Sequence, residues 1–206
     1  MTPTTKEAQR AELHKTIWRI ANELRGSVDG WDFKAYVLGM LFYRFISENL
    51  TAYLNASEHE AGNVDFDYAQ APDEEAELGR SQTVPEKGFY ILPSQLFENV
   101  RKTASEDPNL NETLEQVFKS IEGSALGAES EDDLKGLFDD LDVNSSRLGN
   151  TVNERNQKLV KLLDAVGDLP LGDLRDNSID LFGDAYEYLM TMYASQAGKS
   201  GGEFFT

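Results

Sequence analysis

The chain has 206 residues, with 37 Asp or Glu against 19 Lys or Arg, so its formal net charge is −18 at pH 7. It contains no cysteine, which excludes disulfides and thiolate metal sites, and its excess negative charge opposes general binding to phosphate backbones. No apolar run reaches the ~18 residues of a membrane span, and the N-terminus shows no apolar signal region. We therefore expect a cytoplasmic protein with no membrane contact.

Residues 6–25 predict the first amphipathic helix, which also carries one of two locally basic patches. Its cations include Arg10, Lys15 and Arg19. Its apolar residues recur at helical spacing and predict a buried stripe made of Leu13, Ile17, Trp18, Ile20, Ala21 and Leu24.

Residues 31–54 predict the most apolar helix of the chain. At 100° per residue its polar side chains fall within an arc of about 140°, formed by Lys34, Arg44, Glu48 and Asn49. We expect this helix to be the central post of a bundle. Gly39 lies on its apolar side, where a missing side chain is expected to admit a neighbouring helix.

The negative charge is concentrated in two runs. Residues 58–86 hold nine acids and one base, and residues 129–142 hold seven acids and one base. Both runs have the composition of loops and helix caps, which predicts a solvated surface and not a binding site. Within the long acidic segment 55–88 and just after it, residues 64–66 and 89–91 have the pattern of short strands that pair as a small hairpin.

The remaining segments predict further helices. They run from residue 93 to about 104, from 107 to about 121, after an N-cap at Ser130, from a capping box of Thr151 and Glu154 to about 166, and from about 178 to 197. The helix after Thr151 and its approach form the second basic patch, with Arg147, Arg155, Lys158 and Lys161. The predicted fold class is mainly α: a helical bundle that leaves room for one small β-hairpin.

Familiar site motifs are present only in part. The sequence Gly198-Lys199-Ser200 lacks the first glycine of a phosphate-binding loop. Asp140, Asp142 and Asn144 have calcium-loop spacing but lack the turn glycine and the final glutamate. His14 and His59 are far apart in sequence, which argues against a histidine metal site or triad. We predict no catalytic residue and no metal site in this chain.

Five stretches, at residues 21–26, 37–47, 90–93, 186–189 and 198–206, occur in a specific order and spacing. Together they resemble the N-terminal region of the modification (M) subunit of type I restriction–modification enzymes. The resemblance implies a DNA adenine-N6 methyltransferase that uses S-adenosylmethionine and flips its target base. It also implies that the catalytic α/β domain is absent from this chain.

The same resemblance implies a division of the chain and a set of contacts. Residues 1–177 would form a helical domain for assembly and DNA clamping, 178–197 a connecting helix, and 198–206 the start of the methyltransferase domain. The expected partners are a specificity (S) subunit, a second M subunit, a restriction (R) subunit and double-stranded DNA, with both basic patches as candidate contacts. The resemblance further implies that the cofactor, in the full-length subunit only, is contacted by Glu203, Phe204, Phe205 and Thr206.

Two other functions remain open from the residues themselves. A protein that mimics the charge of DNA would account for −18 directly. It does not account for the Phe204-Phe205 pair or for the nearly all-round apolar helix at residues 31–54. The other alternative is a stand-alone helical interaction protein.

Overall fold

The computed structural model describes residues 5–23, 30–171, 187, 188 and 191. The helices in these ranges are α1 (Thr5–Glu23), α2 (Gly30–Glu60), α3 (Asp73–Glu77), α4 (Arg80–Lys87), α5 (Phe97–Ala104), α6 (Leu110–Ser124), α7 (Glu131–Leu134) and α8 (Val152–Gly167). Short 3₁₀ turns occupy Tyr68–Gln70 and Pro93–Gln95. No strand occurs in the described ranges, which confirms a mainly α fold. Within the described ranges, no helix combines the length and the apolar character that a membrane span requires.

The central helix of the bundle is α2. It has 31 residues and is about 46 Å long at 1.5 Å per residue. It packs against α5 and α8, while α8 also packs against α5 and α6. Its buried side chains cover most of its circumference: Tyr36, Val37, Met40, Leu41, Tyr43, Arg44, Ile46, Ser47 and Leu50. The predicted central post is confirmed, although α2 continues to Glu60 because residues 55–60 contain no Gly or Pro.

An aromatic cluster fills the core beside α2. The ring of Tyr43 meets Phe97 and Phe118 edge-on at centroid distances of 5.3 and 5.4 Å. Phe118 stacks on Phe138 at 4.4 Å. The Tyr43 hydroxyl donates to the carbonyl oxygen of Gln95, and burial raises the pKa of Tyr43 well above its ordinary value. These edge-on and stacked pairs tie α2, α5, α6 and the 136–141 segment to one core.

Gly39 allows a close approach, but the neighbour is a turn and not a helix. A Cβ added at Gly39 would lie 2.4 Å from Leu141 Cδ1 and 3.2 Å from Leu141 Cβ. Leu141 is itself buried. The missing side chain therefore admits the segment that follows α7.

The predicted hairpin is wrong. Residues 64–66 and 89–91 adopt turn or irregular backbone. The Tyr90 amide donates to Ser124 Oγ at 2.8 Å, and the Ile91 carbonyl accepts from the Tyr68 hydroxyl at 2.7 Å. Side chains from α6 and from the 3₁₀ turn thus satisfy backbone groups that a second strand would otherwise satisfy.

Helix caps were predicted with mixed success. The capping box is confirmed: Thr151 Oγ1 accepts from the Glu154 amide at 3.2 Å, and the Glu154 carboxylate accepts from the Thr151 amide. The N-cap position of Ser130 is confirmed, with acidic residues in the first turn of α7, but its side chain does not cap the helix: Ser130 Oγ donates instead to the carbonyl oxygen of Gly88. The cap predicted at Asp107 lies before the helix. Asp107 Oδ1 accepts from the Asn109 amide at 2.9 Å, and α6 begins only at Leu110, with Asn109 at its N-cap position.

α1 contributes only part of its predicted apolar stripe to the core. Leu13 and Ile17 are buried, and Thr16 lies beside them. Trp18 was predicted to lie in the stripe, yet 47% of it is exposed. It lies about 100° round the helix from Ile17, beyond the edge of the buried face. The side chains of residues 20, 21 and 24 lie outside the described part.

Candidate nucleic-acid interface

The cations of α1 lie on two sides of the helix. At 100° per residue, Arg10 is about 40° from the centre of the stripe of Leu13 and Ile17, whereas Lys15 is about 180° and Arg19 about 140° away. All three cations are exposed. The helix therefore brings Lys15 and Arg19 together on its outer face, one turn apart, and places Arg10 elsewhere.

Three cations of the second basic patch lie at the surface of α8 or just before it. Lys158 and Lys161 are three residues apart, so they are neighbours on one flank of the helix. Lys161 is exposed and Lys158 is half-buried. Arg147 is exposed in the loop that leads to α8. This flank offers a second local concentration of positive charge.

Arg155, the fourth cation of that patch, holds the loop before α8. Its Nη1 donates to the carbonyl oxygen of Gly149 at 3.1 Å. Its buried Nε has no hydrogen-bond partner among the described residues. The loop lies tightly on the helix, since a Cβ added at Gly149 would be 2.6 Å from Glu154 Cβ. Arg155 thus has a structural role, and its predicted contact with DNA or a partner stays a prediction.

Arg44 is an anchoring residue that sequence reasoning missed. It was placed on the polar arc of α2, but it is only 8% exposed. Its Nη1 donates to the carbonyl oxygens of Val166 and Leu169, each at 2.8 Å, and of Gly167 at 3.3 Å. Its Nε donates to Glu48 at 2.7 Å. A cation at these carbonyls both satisfies them and complements the negative end of the helix dipole.

Arg101 of α5 binds the acidic side chains at the same end of α8. It pairs with Asp164 at 3.2 Å and with Asp168 at 2.5 Å. Burial lowers the pKa of Arg101, but the hydrogen bonds to Asp168 and Asp164 outweigh it and the net shift is upward. A Cβ at Gly167 would lie 2.5 Å from Arg101 Nη1, so a side chain at this position would displace the guanidinium from its present place. The end of α8 is therefore fixed from two neighbouring helices. A lone arginine in a nearly apolar helix was the one sequence signal for this arrangement.

The two acidic runs meet in the folded chain. Ser130, in the second run, donates to the carbonyl oxygen of Gly88, just after the first run, where φ of 87° favours glycine. The single base of the first run, Arg80, forms a two-point ion pair with Glu77 at 2.6 and 2.8 Å. That hydrogen bond is the main reason that the pKa of Glu77 is lowered and that of Arg80 raised. Arg80 also lies over the ring of Tyr90, 4.9 Å from its centroid. The acidic surface is thus a folded part of the bundle.

The incomplete motifs do not assemble into a metal site in the described part of the chain. No group of three His, Cys, Asp or Glu side chains there is suited to hold a metal ion. Asp142 Oδ1 instead accepts from the Asn144 amide at 3.0 Å, and Tyr36 donates to the Asp142 carbonyl oxygen at 2.6 Å. The predicted cofactor contacts Glu203, Phe204, Phe205 and Thr206 lie outside the described residues, as does Gly198-Lys199-Ser200.

The class of the protein follows from its match to known families, with which the helical bundle agrees. Residues 13–166 match the model of the HsdM N-terminal domain, and residues 177–206 match that of the N-6 DNA Methylase family. The chain belongs to the HsdM N-terminal domain family.

Individual relatives agree with this assignment. The chain is 50% identical over 205 residues to the type I restriction enzyme MpnII methylase subunit of Mycoplasma pneumoniae, covering 96% of this chain and 38% of that protein. It is 23% identical over 208 residues to the MjaIX methylase subunit of Methanocaldococcus jannaschii, covering 95% and 33%. The crystal structure of a type I restriction-modification methyltransferase subunit from Streptococcus thermophilus superposes with a TM-score of 0.71 at 27% identity, over 90% of this chain and 39% of that one. The chain thus spans less than two fifths of each relative.

Two of the segments that carried the resemblance have a structural role in the described part of the chain. Within residues 37–47, Tyr43 lies in the aromatic cluster and Arg44 anchors α8. Within residues 90–93, Tyr90 and Ile91 are buried where the acidic segment folds back on the bundle. Both stretches thus contribute buried side chains to the core of the helical bundle.

Proposed function

We propose that this chain is the helical N-terminal part of a type I DNA adenine-N6 methyltransferase subunit and that it serves subunit assembly and DNA clamping. The observation that carries the proposal is the match of residues 13–166 to the HsdM N-terminal domain, together with 50% identity to a type I methylase subunit. A DNA mimic or a stand-alone scaffold would not account for the further match of residues 177–206 to the N-6 DNA Methylase family. That match, which begins at residue 177, also supports a boundary near that position between helical domain and connecting helix.

DNA contact is expected at local groups of cations and not over the whole surface. The net charge of −18 repels a phosphate backbone, but exposed charges are screened beyond about 8–10 Å at physiological salt. Lys15 and Arg19 share the outer face of α1, and Lys158 and Lys161 share a flank of α8. These two pairs are the better-placed candidates among the predicted contacts. Arg10 and Arg147 are exposed as well, on other faces.

The methyl donor is S-adenosylmethionine in this proposal, which the N-6 DNA Methylase match at residues 177–206 supports. When bound, it would supply the methyl group that is transferred to the exocyclic amine of adenine. The aromatic-hydroxyl run of Glu203, Phe204, Phe205 and Thr206 remains our proposed start of the cofactor pocket. The proposed partners are the specificity subunit, a second modification subunit, the restriction subunit and double-stranded DNA.

The test is charge reversal in the full-length subunit assembled with its specificity subunit. Lys15→Glu with Arg19→Glu removes one candidate pair. A matched control, Lys102→Glu with Lys119→Glu, makes the same charge change at exposed cations of α5 and α6. If the α1 pair contacts phosphates, DNA affinity falls and the slope of log K against log salt decreases by roughly two, about one per lost contact.

Assembly gives the second readout of the same variants. A pair that contacts a protein partner weakens subunit assembly, measured by analytical ultracentrifugation, and leaves the salt slope of the assembled complex unchanged. The proposal for α1 is lost if the Lys15/Arg19 variant and the control variant behave alike in both DNA affinity and assembly. The same design applies to Lys158 and Lys161.

A further inference from the structure

His14 and Tyr188 form an aromatic stack between the two family-matched regions of the chain. Their ring centroids are 4.2 Å apart and the ring planes differ by 9°. His14 lies in the region that matches the HsdM N-terminal domain, whereas Tyr188 lies in the region that matches the N-6 DNA Methylase family. The contact therefore joins segments 174 residues apart in sequence that belong to two different families of domain.

The helical geometry of α1 suits a joint at this position. His14 lies about 60° round the helix from Ile17, at the edge of the buried stripe, and is half-buried. Leu13 and Ile17 fix α1 in the core, and Tyr188 packs against that same core. Thr191 Oγ1 donates to the Glu187 carbonyl oxygen at 2.9 Å, four residues back, as in a helical turn. Tyr188 thus lies in a helical turn, and its ring contacts α1, which Leu13 and Ile17 hold in the core.

A second fixed point lies on the other side of the same stretch of chain. Arg44 and Arg101 hold residues 164–169, at the end of α8. The two fixed points bracket residues 172–186, which contain the first residues of the N-6 DNA Methylase match.

We infer that α1 is the docking surface for Tyr188 of the methyltransferase-matched region, and that His14 is a positioning residue at this joint. One consequence rests on the proposed function. Lys15 follows His14 directly, so a phosphate contact at Lys15 and the stack with Tyr188 would be carried by the same turn of α1. Loosening the stack should then lower methylation even where DNA contacts remain intact.

Hydrogen exchange in the full-length, assembled subunit tests the joint directly. In Tyr188→Ala and His14→Ala, amides of residues 13–19 should exchange about three- to ten-fold faster, the range expected from loss of one aromatic pair. Tyr188→Phe and His14→Phe keep two facing rings and should retain the protection. Tyr53→Ala is the matched control: its ring contacts Lys87 and its hydroxyl donates to Glu86, so exchange should rise around α4 and not in α1.

The outcomes separate this inference from the proposed function. Unchanged exchange in α1 for both alanine variants, or an equal rise in Tyr53→Ala, overturns the joint whatever the charge reversals show. Faster exchange in α1 with rescue by the phenylalanine variants supports it, even if the Lys15 and Arg19 reversals leave DNA binding intact. For coupling to DNA, kcat/KM for DNA methylation should fall about three- to ten-fold in Tyr188→Ala and recover in Tyr188→Phe. An unchanged kcat/KM overturns the coupling.

Discussion

Replacing Arg44 tests whether its buried guanidinium holds the end of α8. Arg44→Met keeps an unbranched side chain of similar length but removes every donor. The carbonyl oxygens of Val166 and Leu169 would each lose a hydrogen bond of 2.8 Å. Because Arg44 is 8% exposed, methionine fills the space with little new contact with water.

The expected cost follows from the number of charged hydrogen bonds that are lost. Hydrogen bonds to charged groups contribute about 1.5–3 kcal/mol each, and a buried carbonyl left without a partner costs about 1–3 kcal/mol. The Glu48 carboxylate is 37% exposed and can be solvated by water, so its loss of the pair adds little. Some repacking around methionine offsets the cost. We expect a loss of about 3–5 kcal/mol in the free energy of unfolding.

Urea unfolding of the chain, followed by circular dichroism, measures this loss. Arg44→Lys retains one charge but lacks the planar fork and should lose about half as much. Glu48→Gln should cost less than about 1 kcal/mol, as for a partly exposed ion pair. Hydrogen exchange should localise the effect to residues 166–171. A loss below about 1 kcal/mol for Arg44→Met would refute the anchoring role, because three hydrogen bonds would then contribute almost nothing.

Three further predictions concern the bundle. Gly39→Ala should destabilise the chain by about 1–3 kcal/mol in urea unfolding, because the new Cβ overlaps Leu141. Gly123→Ala in α6 should instead stabilise the chain by about 0.5–1 kcal/mol, because a Cβ there would meet nothing within 4 Å. Effects of the same sign in the two variants would contradict the packing argument. Thr151→Ala should cost about 1 kcal/mol in thermal unfolding through loss of the cap, and a neutral effect would show that the capping box contributes nothing to the stability of α8. Burial raises the pKa of Tyr43 in the folded state. Its neutral phenol therefore stabilises the folded chain fully below the unfolded-state pKa of about 10, and this stabilisation is lost as pH rises from that value through the higher folded-state pKa. Unfolding midpoints between pH 9 and 11 should therefore fall less steeply in Tyr43→Phe than in the parent, and parallel curves would argue against a buried neutral phenol.

Local sequence signals predicted those features whose cause is local. The all-round apolar pattern of α2 identified the central helix, because a helix with almost no polar face must be wrapped by others. The Thr151 and Glu154 spacing identified the capping box, because its two hydrogen bonds join residues three apart. The basic residues of α1 and α8 were correctly placed on helices. The prediction grouped Arg10 with Lys15 and Arg19, although helical periodicity places Arg10 on a different face.

Features that depend on distant partners could not be read in this way. The Tyr90 amide finds Ser124, 34 residues away, so a segment with strand-like composition needs no partner strand. Likewise the Ser130 hydroxyl bonds to Gly88, 42 residues away, although Ser130 occupies the N-cap position of α7.

By itself, the sequence determined a mainly α bundle around α2, a capped α8 and a resemblance to the M subunits of type I enzymes. Each of these follows from residue spacing within a few turns of helix or from ordered short stretches of residues. Only the tertiary structure decided that Arg44 is an internal anchor for carbonyls 122 to 125 residues away and that His14 faces Tyr188. The reason is physical: a polar side chain on an apolar helix is buried or solvated according to which acceptors the folded chain brings to it, and spacing along one helix carries no information about them.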